Sequence, residues 1–332
     1  MRAYIIRRIL ILIPTLLILT FVSFSLMHLA PGNIVDAMVA SMPSEEMIGM
    51  DPAVYRAEIM RKLGLDAPLI VQYGRFIGVA PQVDGGFSGL LQGDLGVSWW
   101  RGVPVAKLVS VLWPTTLQLG IMALVIAQLV ALPIGIFSAL RQDTWGDYVG
   151  RSFALVWIAV PGFWIATLVI VYPSIWWGYM PPIMLVRFID DPLRNLEMFI
   201  LPATILGMGM AGFTMRMTRT MMLEVLRQDY VRTAWAKGLR ERIVVIRHAL
   251  KNAFIPIITI IGLQVPILIG GAVIIERIFA LPGIGRLMLS ATLNRDYPLV
   301  AGTLVLFSVA LVFINLAVDL TYAYLDPRVR YK

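Results

Sequence analysis

Cysteine is absent from this 332-residue chain, which excludes disulfides, thiolate metal sites and cysteine nucleophiles. Histidine is almost absent: His28 and His248 are the only two, far apart in sequence, so a histidine-rich metal centre is excluded as well. Charge is scarce. Charged residues make up 14% of the chain, where a soluble domain of this size carries roughly 25%. Hydrophobic residues reach 59% and mean hydropathy is +0.81. A polytopic membrane protein is the class that fits. A phosphate-cradling loop is missing too. No glycine is followed by lysine, so G-x(4)-G-K-[ST] cannot occur and the chain has no such site for ATP. Low-complexity tracts, internal repeats and interdomain linkers are also lacking, which points to one domain over residues 1–332.

What is present is a series of long apolar runs. Six spanning segments are expected: Ile9–Ala30, Thr115–Leu140, Phe153–Trp177, Phe199–Thr218, Phe254–Ile275 and Val300–Tyr322. Inside a bilayer each must satisfy its own backbone, so each is expected to be a helix, and the fold class is all-α polytopic. Pro14, Pro133, Pro161, Pro202 and Pro266 lie in or at the ends of these runs as kinks or entry points. The first run has a basic start (Arg2, Arg7, Arg8) like a secretory signal. Its 22 apolar residues, about 33 Å of helix, exceed the roughly 7–15 residues of a signal core. It therefore reads as a retained first helix.

Charge orients the chain. With the N-terminus in the cytosol and six spans, the cytosolic segments hold 17 Lys or Arg and the opposite side 11, despite its greater length. Both termini are then cytosolic. The basic pI of 9.9 follows from this asymmetry and not from nucleic-acid binding. Residues 31–113 are long and half-polar, with helix-like stretches such as Asp51–Leu63 and turn-rich ones such as VDGGFSG and GDLGVS. They read as a cap on the extracytoplasmic helix ends.

One segment, residues 216–253, interrupts the apolar pattern. Arg216 to Lys251 hold nine Lys or Arg against three Asp or Glu. Met222 to Arg240 is expected to be helix broken at Gly238, with a second helix over Leu239 to Ala253 leading into the fifth span. Tyr230, Ala234 and Lys237 then share a face, with Thr233 and Ala236 beside them and a rim of Arg232, Lys237, Arg240 and Arg242. Glycine permits a left-handed turn and leaves room for a partner backbone. A low-profile helix with a charged rim suits a groove on another protein. A juxtamembrane stretch resting on anionic lipid suits the same composition, and the residues alone leave both open.

The remaining polar positions have paired readings. Gln118, Gln128 and Gln264 either line a polar passage or bond between helices. Asp319, near the inner end of the sixth span, either relays protons or pairs with a basic residue. Glu276 stands at the outer end of the fifth. ALPGIGRL, with Pro282, Gly283 and Gly285, is a gate-associated loop or a plain connection. The tryptophans fit interface belts, and the eighteen methionines fit adaptable packing more readily than a metal path.

YVRTAWAKGL…RHALKNAFIP resembles the cytoplasmic loop motif of binding-protein-dependent ABC importer permeases, EAA-x(3)-G-x(9)-I-x-L-P. Arg232, Thr233 and Ala234 stand where E-A-A would be, Gly238 is the motif glycine, and the distal part falls on His248, Leu250 and Lys251. The departures follow the dipeptide/oligopeptide/nickel branch. YIIRRILILIPTLLILTFVSFSLMHLAPGN, KLGLDAPLIVQYGRFIG…GDLGVS…PV…PTTLQLG and ERIFALPGIGRLMLSATLNRDYPLV are similar to other regions of that branch, in the same order. The resemblance implies a type I ABC importer permease fold and alternating-access import of di- or oligopeptides. It implies that Arg232, Thr233, Ala234, Ala236, Lys237, Gly238 and Leu239 couple to an ATPase. It implies as partners a second homologous permease in a heterodimer, two cytoplasmic ATPase subunits that hydrolyse the ATP, an extracytoplasmic solute-binding protein and membrane lipid. This chain itself would bind no cofactor and catalyse no reaction. Oligosaccharides or nickel chelates are the alternative substrates within the branch. A stand-alone secondary transporter or a scaffold without transport are the alternatives outside it, and the scarcity of ionisable groups in the spans counts against the former.

Overall fold

The computed structural model describes residues 2–29, 34–40, 51–178 and 185–325. Helices dominate, and no strand occurs among the described residues beyond an isolated bridge between Val97 and Pro104. The chain divides into two compact units, residues 1–113 with 287–312 and residues 114–286 with 313–332.

In the first unit, α1 (Arg2–Leu29) is a 28-residue helix. It is followed by α2 (Ile34–Ala40), α3 (Pro52–Lys62) and α4 (Leu69–Ile77). Asp51 caps α3 by accepting from Ala53 N at 2.8 Å, with proline at the first helical turn and Arg61 and Lys62 in the last. Val35 and Ile59 form a small apolar core with Tyr55, Leu63, Trp99 and Tyr297 around them. The turn before α5 is pinned by a buried carboxylate. Asp296 accepts from Ser98 Oγ at 2.5 Å and Trp99 N at 3.2 Å, and Trp100 Nε1 donates to Asn294 O at 2.6 Å.

The second unit is built around long helices. α5 (Val105–Leu140) enters it from the first unit and carries Pro114 and Pro133 without interruption. α6 (Trp145–Ala159) and α7 (Gly162–Trp177) follow, then α8 (Pro192–Leu226), capped by Asp191 through Arg194 N at 3.1 Å. Next come α9 (Asp229–Ala236), a single helical turn α10 (Glu241–Ile243), a π-helical segment Val244–Leu250 and α11 (Lys251–Ile278). α12 (Ile284–Leu293) and α13 (Tyr297–Leu325) complete the chain. α8 is the hub. In its most apolar stretch 67% of positions are buried, against 28% in α5 and 39% in α13. Phe199, Ala203 and Ile205 pack with Leu119, Ala166, Ala272 and Ile275, and Ala211 and Met215 pack with Ala123, Ala127 and Ala154.

Four described helices are long and apolar enough to cross a membrane: α5, α8, the run from Glu241 to Leu268, and α13 to Val318. α6 and α7 meet the same measure only together, and α1 contributes a shorter apolar stretch, Ile13–Ser25. The third expected span, Phe153–Trp177, is therefore not one helix. It is broken at Val160–Pro161 with a 90° bend. The cause is local: a residue before proline is pushed out of the helical region, and Val160 is extended (φ −87°, ψ 123°). The fourth span also differs. Its helix does not stop at Thr218 but runs on to Leu226.

Candidate functional site

The basic segment folds into a shorter helix than the expected Met222–Arg240. α8 ends at Leu226, Gln228 is extended (ψ 147°), and α9 covers eight residues. Asp229 in its first turn complements the positive end of the helix dipole. The C-terminal stop agrees with expectation. Gly238 has φ +74°, donates from N to Trp235 O at 2.9 Å, and Leu239 N reaches Ala234 O at 3.4 Å. Left-handed backbone costs an L side chain energy that glycine avoids.

The faces of α9 are sorted by packing. Val231 and Ala234 are buried against Val244, with Val225, Leu226 and Leu239 around them. Ala234 thus holds the helix onto its own chain and does not share the exposed face with Tyr230 and Lys237. The exposed residues are Tyr230, Arg232, Thr233, Trp235, Ala236, Lys237 and Gly238. Tyr230 Oη accepts from Asn252 Nδ2 at 2.9 Å, and Asn252 also donates to His248 O at 3.0 Å. These bonds fix α9 to the first turn of α11. Arg232 meets Asp229 at 3.6 Å, an exposed pair of little energetic weight, so its charge is available to a partner. The platform therefore offers two aromatic rings, small side chains between them and a basic rim.

Two features here lack a sequence signature that periodicity would expose. One is the π-helical segment Val244–Leu250 that follows α10, a rare geometry that recurs at functional sites. The other is Trp235, whose exposed ring was hidden among the small residues of the motif.

The three glutamines are not brought together. Gln118 on α5 bonds with the amide of Asn195 on α8, and Asn195 Nδ2 donates to Val186 O at 2.7 Å. That is the interhelical reading. Gln264 on α11 is buried, accepts from Thr214 Oγ1 at 3.1 Å and donates to Met210 O at 3.4 Å. It also lines a cavity of about 680 Å³ at the α6–α7 break, together with Trp157, Pro161, Phe163, Phe213 and Leu268. Gln264 thus fits both readings. Gln128 stands apart: both amide atoms are buried without a hydrogen-bond partner. The side chains of His28 and Asp319 lie outside the described residues.

The Pro282–Gly285 loop is organised by Glu276, which sequence reasoning placed only as a helix-end polar residue. Glu276 is fully buried. Thr116 Oγ1 donates to its Oε1 at 2.6 Å, and Arg286 N donates to its Oε2 at 3.0 Å. Thr116 Oγ1 in turn accepts from Ile284 N at 2.8 Å, and Arg286 Nη1 donates to Ala280 O at 2.8 Å. Gly283 is required by close approach: a Cβ there would overlap the Glu276 carboxylate. The loop is held in place by this buried polar network. Acid-glycine spacing across E-x(6)-G-x-G was the available signal.

Comparison with known proteins places the chain in a family. Residues 131–331 match the family described as binding-protein-dependent transport system inner membrane component, and residues 1–120 match its N-terminal component. A putative peptide transport system permease protein of Brucella abortus is 39% identical over 331 residues, covering 100% of both chains. The oligopeptide transport system permease protein AppB of Bacillus subtilis is 38% identical and the dipeptide transport system permease protein DppB of Escherichia coli 35% identical, each with 100% of both chains covered. Among solved structures, the inward-facing MetNI methionine ABC transporter aligns with a TM-score of 0.54 at 15% identity, over 67% of this chain and 97% of its own. That likeness speaks for the fold, an all-α polytopic permease of the type I importer kind. The chain belongs to the family of binding-protein-dependent transport system inner membrane components.

Proposed function

We propose that this chain is the membrane-spanning subunit of an ATP-driven importer for di- or oligopeptides. The observation that carries the reading is α9: an eight-residue helix, seated on Val244 and Asn252, stopped by a left-handed glycine and presenting Tyr230, Trp235 and Lys237 outward. Such a platform suits a cleft on another protein. Two cytoplasmic ATPase subunits occupy it in this reading, one on this chain and one on a second, homologous permease. Arg232, Thr233, Ala236, Lys237 and Gly238 make the contact, and Ala234 and Leu239 support it from beneath. ATP is hydrolysed by those partners, and no cofactor is held by this chain. Both termini and the α8–α11 segment then face the cytosol, in line with the excess of Lys and Arg there. Residues 31–113 form the extracytoplasmic cap, where a solute-binding protein delivers substrate. Alternating access moves the peptide past Gln128, Gln264 and the Pro282–Gly285 loop.

The peptide assignment rests on relatives whose names refer to peptide, dipeptide and oligopeptide transport and which align over their full length. Reconstitution tests it. The chain, its neighbouring permease, ATPases and binding protein are placed in proteoliposomes, and labelled dipeptide uptake is followed with and without ATP. Uptake only with ATP, and only with every subunit, is the expected result. Uptake by the isolated chain on an ion gradient would overturn it.

A further inference from the structure

Asp147 opens α6 and is completely buried. In every described polar contact its carboxylate is the acceptor. Ser138 Oγ, from the end of α5, donates to Oδ1. Asp143 N, in the α5–α6 turn, donates to Oδ2 at 3.0 Å. Arg219 on α8 grips both oxygens, with Nε to Oδ1 at 2.7 Å and Nη2 to Oδ2 at 2.6 Å. Arg151 Nη1, one turn along α6, stands at 3.8 Å. The turn that presents the carboxylate is strained, since Asp143 has φ +60° without being glycine.

Stability alone is a poor reason for such a pair. Apolar residues of similar volume often serve a buried site equally well. A bidentate arginine–carboxylate pair supplies something else, a fixed mutual orientation of the two elements that carry it. Here those elements are α6 and the last turns of α8. Arg219 lies two turns before α8 ends at Leu226, and α9 begins at Asp229.

The surroundings extend that attachment. Ala139, Met222, Val245, Ala249, Ala253 and Ile257 pack as one apolar cluster, joining the ends of α5 and α8 to the segment that follows α9. Everything that carries the docking helix is therefore one packed block, and the ion pair fastens the start of α6 to it. From that point α6 runs 15 residues, about 22 Å, to the 90° break at Pro161, where the cavity lined by Trp157, Phe163, Phe213 and Gln264 lies.

We propose that Asp147 and Arg219 are positioning residues that fasten α6 to the docking-helix block, so that displacement of α9 is carried along α6 to the elbow at Pro161 and the cavity beside it. The proposal rests on the importer reading, because it assigns a path to a movement that an ATPase delivers. α6 acts as a rigid arm, and the elbow is where its rotation is released.

The absence of cysteine makes the test direct. Cysteines replace Trp145 and Glu224, both exposed and neither in the ion pair, and carry spin labels in the complete importer reconstituted in lipid, with partner cysteines blocked. The distance between them is measured without nucleotide and with ATP trapped. In the native background it should be the same in both states. In the double variant Asp147→Leu/Arg219→Met it should differ between states, and substrate imported per ATP hydrolysed should fall at least tenfold while hydrolysis continues. Arg219→Lys, which keeps the charge but not the two-pronged grip, should recover part of that ratio. A native distance that shifts with ATP overturns the proposal, and that arm decides the matter even where the double variant fails to assemble. A double variant with the native import-to-hydrolysis ratio overturns it too. A native complex that shows no ATP-dependent uptake would instead overturn the importer reading, and the link with it.

Discussion

Thr116 and Glu276 stand 160 residues apart in sequence and share a buried hydrogen bond of 2.6 Å, while the same hydroxyl receives the backbone N–H of Ile284. One threonine thus ties α5 to both the end of α11 and the loop beyond it.

Thr116→Val keeps the shape and removes both bonds, leaving Ile284 N and one carboxylate oxygen without their partner. A loss of about 1–3 kcal/mol is expected. It should appear as a lowered unfolding midpoint in detergent and faster proteolysis at residues 281–286. Gly283→Ala should lower the midpoint further, because the carboxylate has to leave its place. An unchanged midpoint in both variants would remove Glu276 from its role as organiser of the loop.

Gly238→Val should strain the left-handed turn by roughly 1–2 kcal/mol without touching a neighbour, since the space around it is open. The chain should still insert. ATP-dependent uptake should fall sharply, because the end of α9 is re-aimed and a bulky group stands at the docking face. Gly238→Asn, which tolerates this backbone better, should retain more uptake than valine. Full uptake by the valine variant would end the coupling assignment for this turn.

Gln128→Leu separates stability from transport. Burying an amide without partners costs about 1–3 kcal/mol, and both amide atoms of Gln128 are so placed. The variant should therefore raise the unfolding midpoint of the isolated chain. Uptake in the reconstituted complex should fall, as expected of a passage residue. A variant that gains stability and transports normally would assign Gln128 no part in the passage.

Asp296→Ala should loosen the turn at residues 98–104, where Ser98 and Trp99 lose their shared acceptor. Cleavage within this turn by a non-specific protease should accelerate, and the unfolding midpoint should fall by an amount matching about 1–3 kcal/mol. Equal cleavage rates would show that the turn is held by other contacts.

Much of the architecture was visible in the sequence because one physical demand, internal satisfaction of the backbone in hydrocarbon, fixes helix wherever about twenty apolar residues run together. The segments expected to span correspond to α1, α5, the α6–α7 pair, α8, α11 and α13. The turn at Gly238 was legible because glycine marks it directly. The depth of helix breaks was not. Hydropathy sums over Phe153–Trp177 are blind to the extended Val160, although Pro161 was the sign of it. Pairings across the fold were beyond reach for another reason. Asp147 and Arg219 each fall at the polar edges of apolar runs, where a charge normally reads as solvated. Only the packing of α6 on α8 places them face to face, and the same is true of Thr116 and Glu276.

The break at Pro161 sets a condition on whatever surrounds this chain. A continuous helix closes its own peptide groups, but one cut at Ala159 and restarted at Gly162 exposes carbonyls at one rim and amides at the other. Oil cannot solvate them. Hydrocarbon is a poor solvent for the crook of this bend, which the chain's own α8 and α11 line in part, and hydrated space or polypeptide suits the remainder.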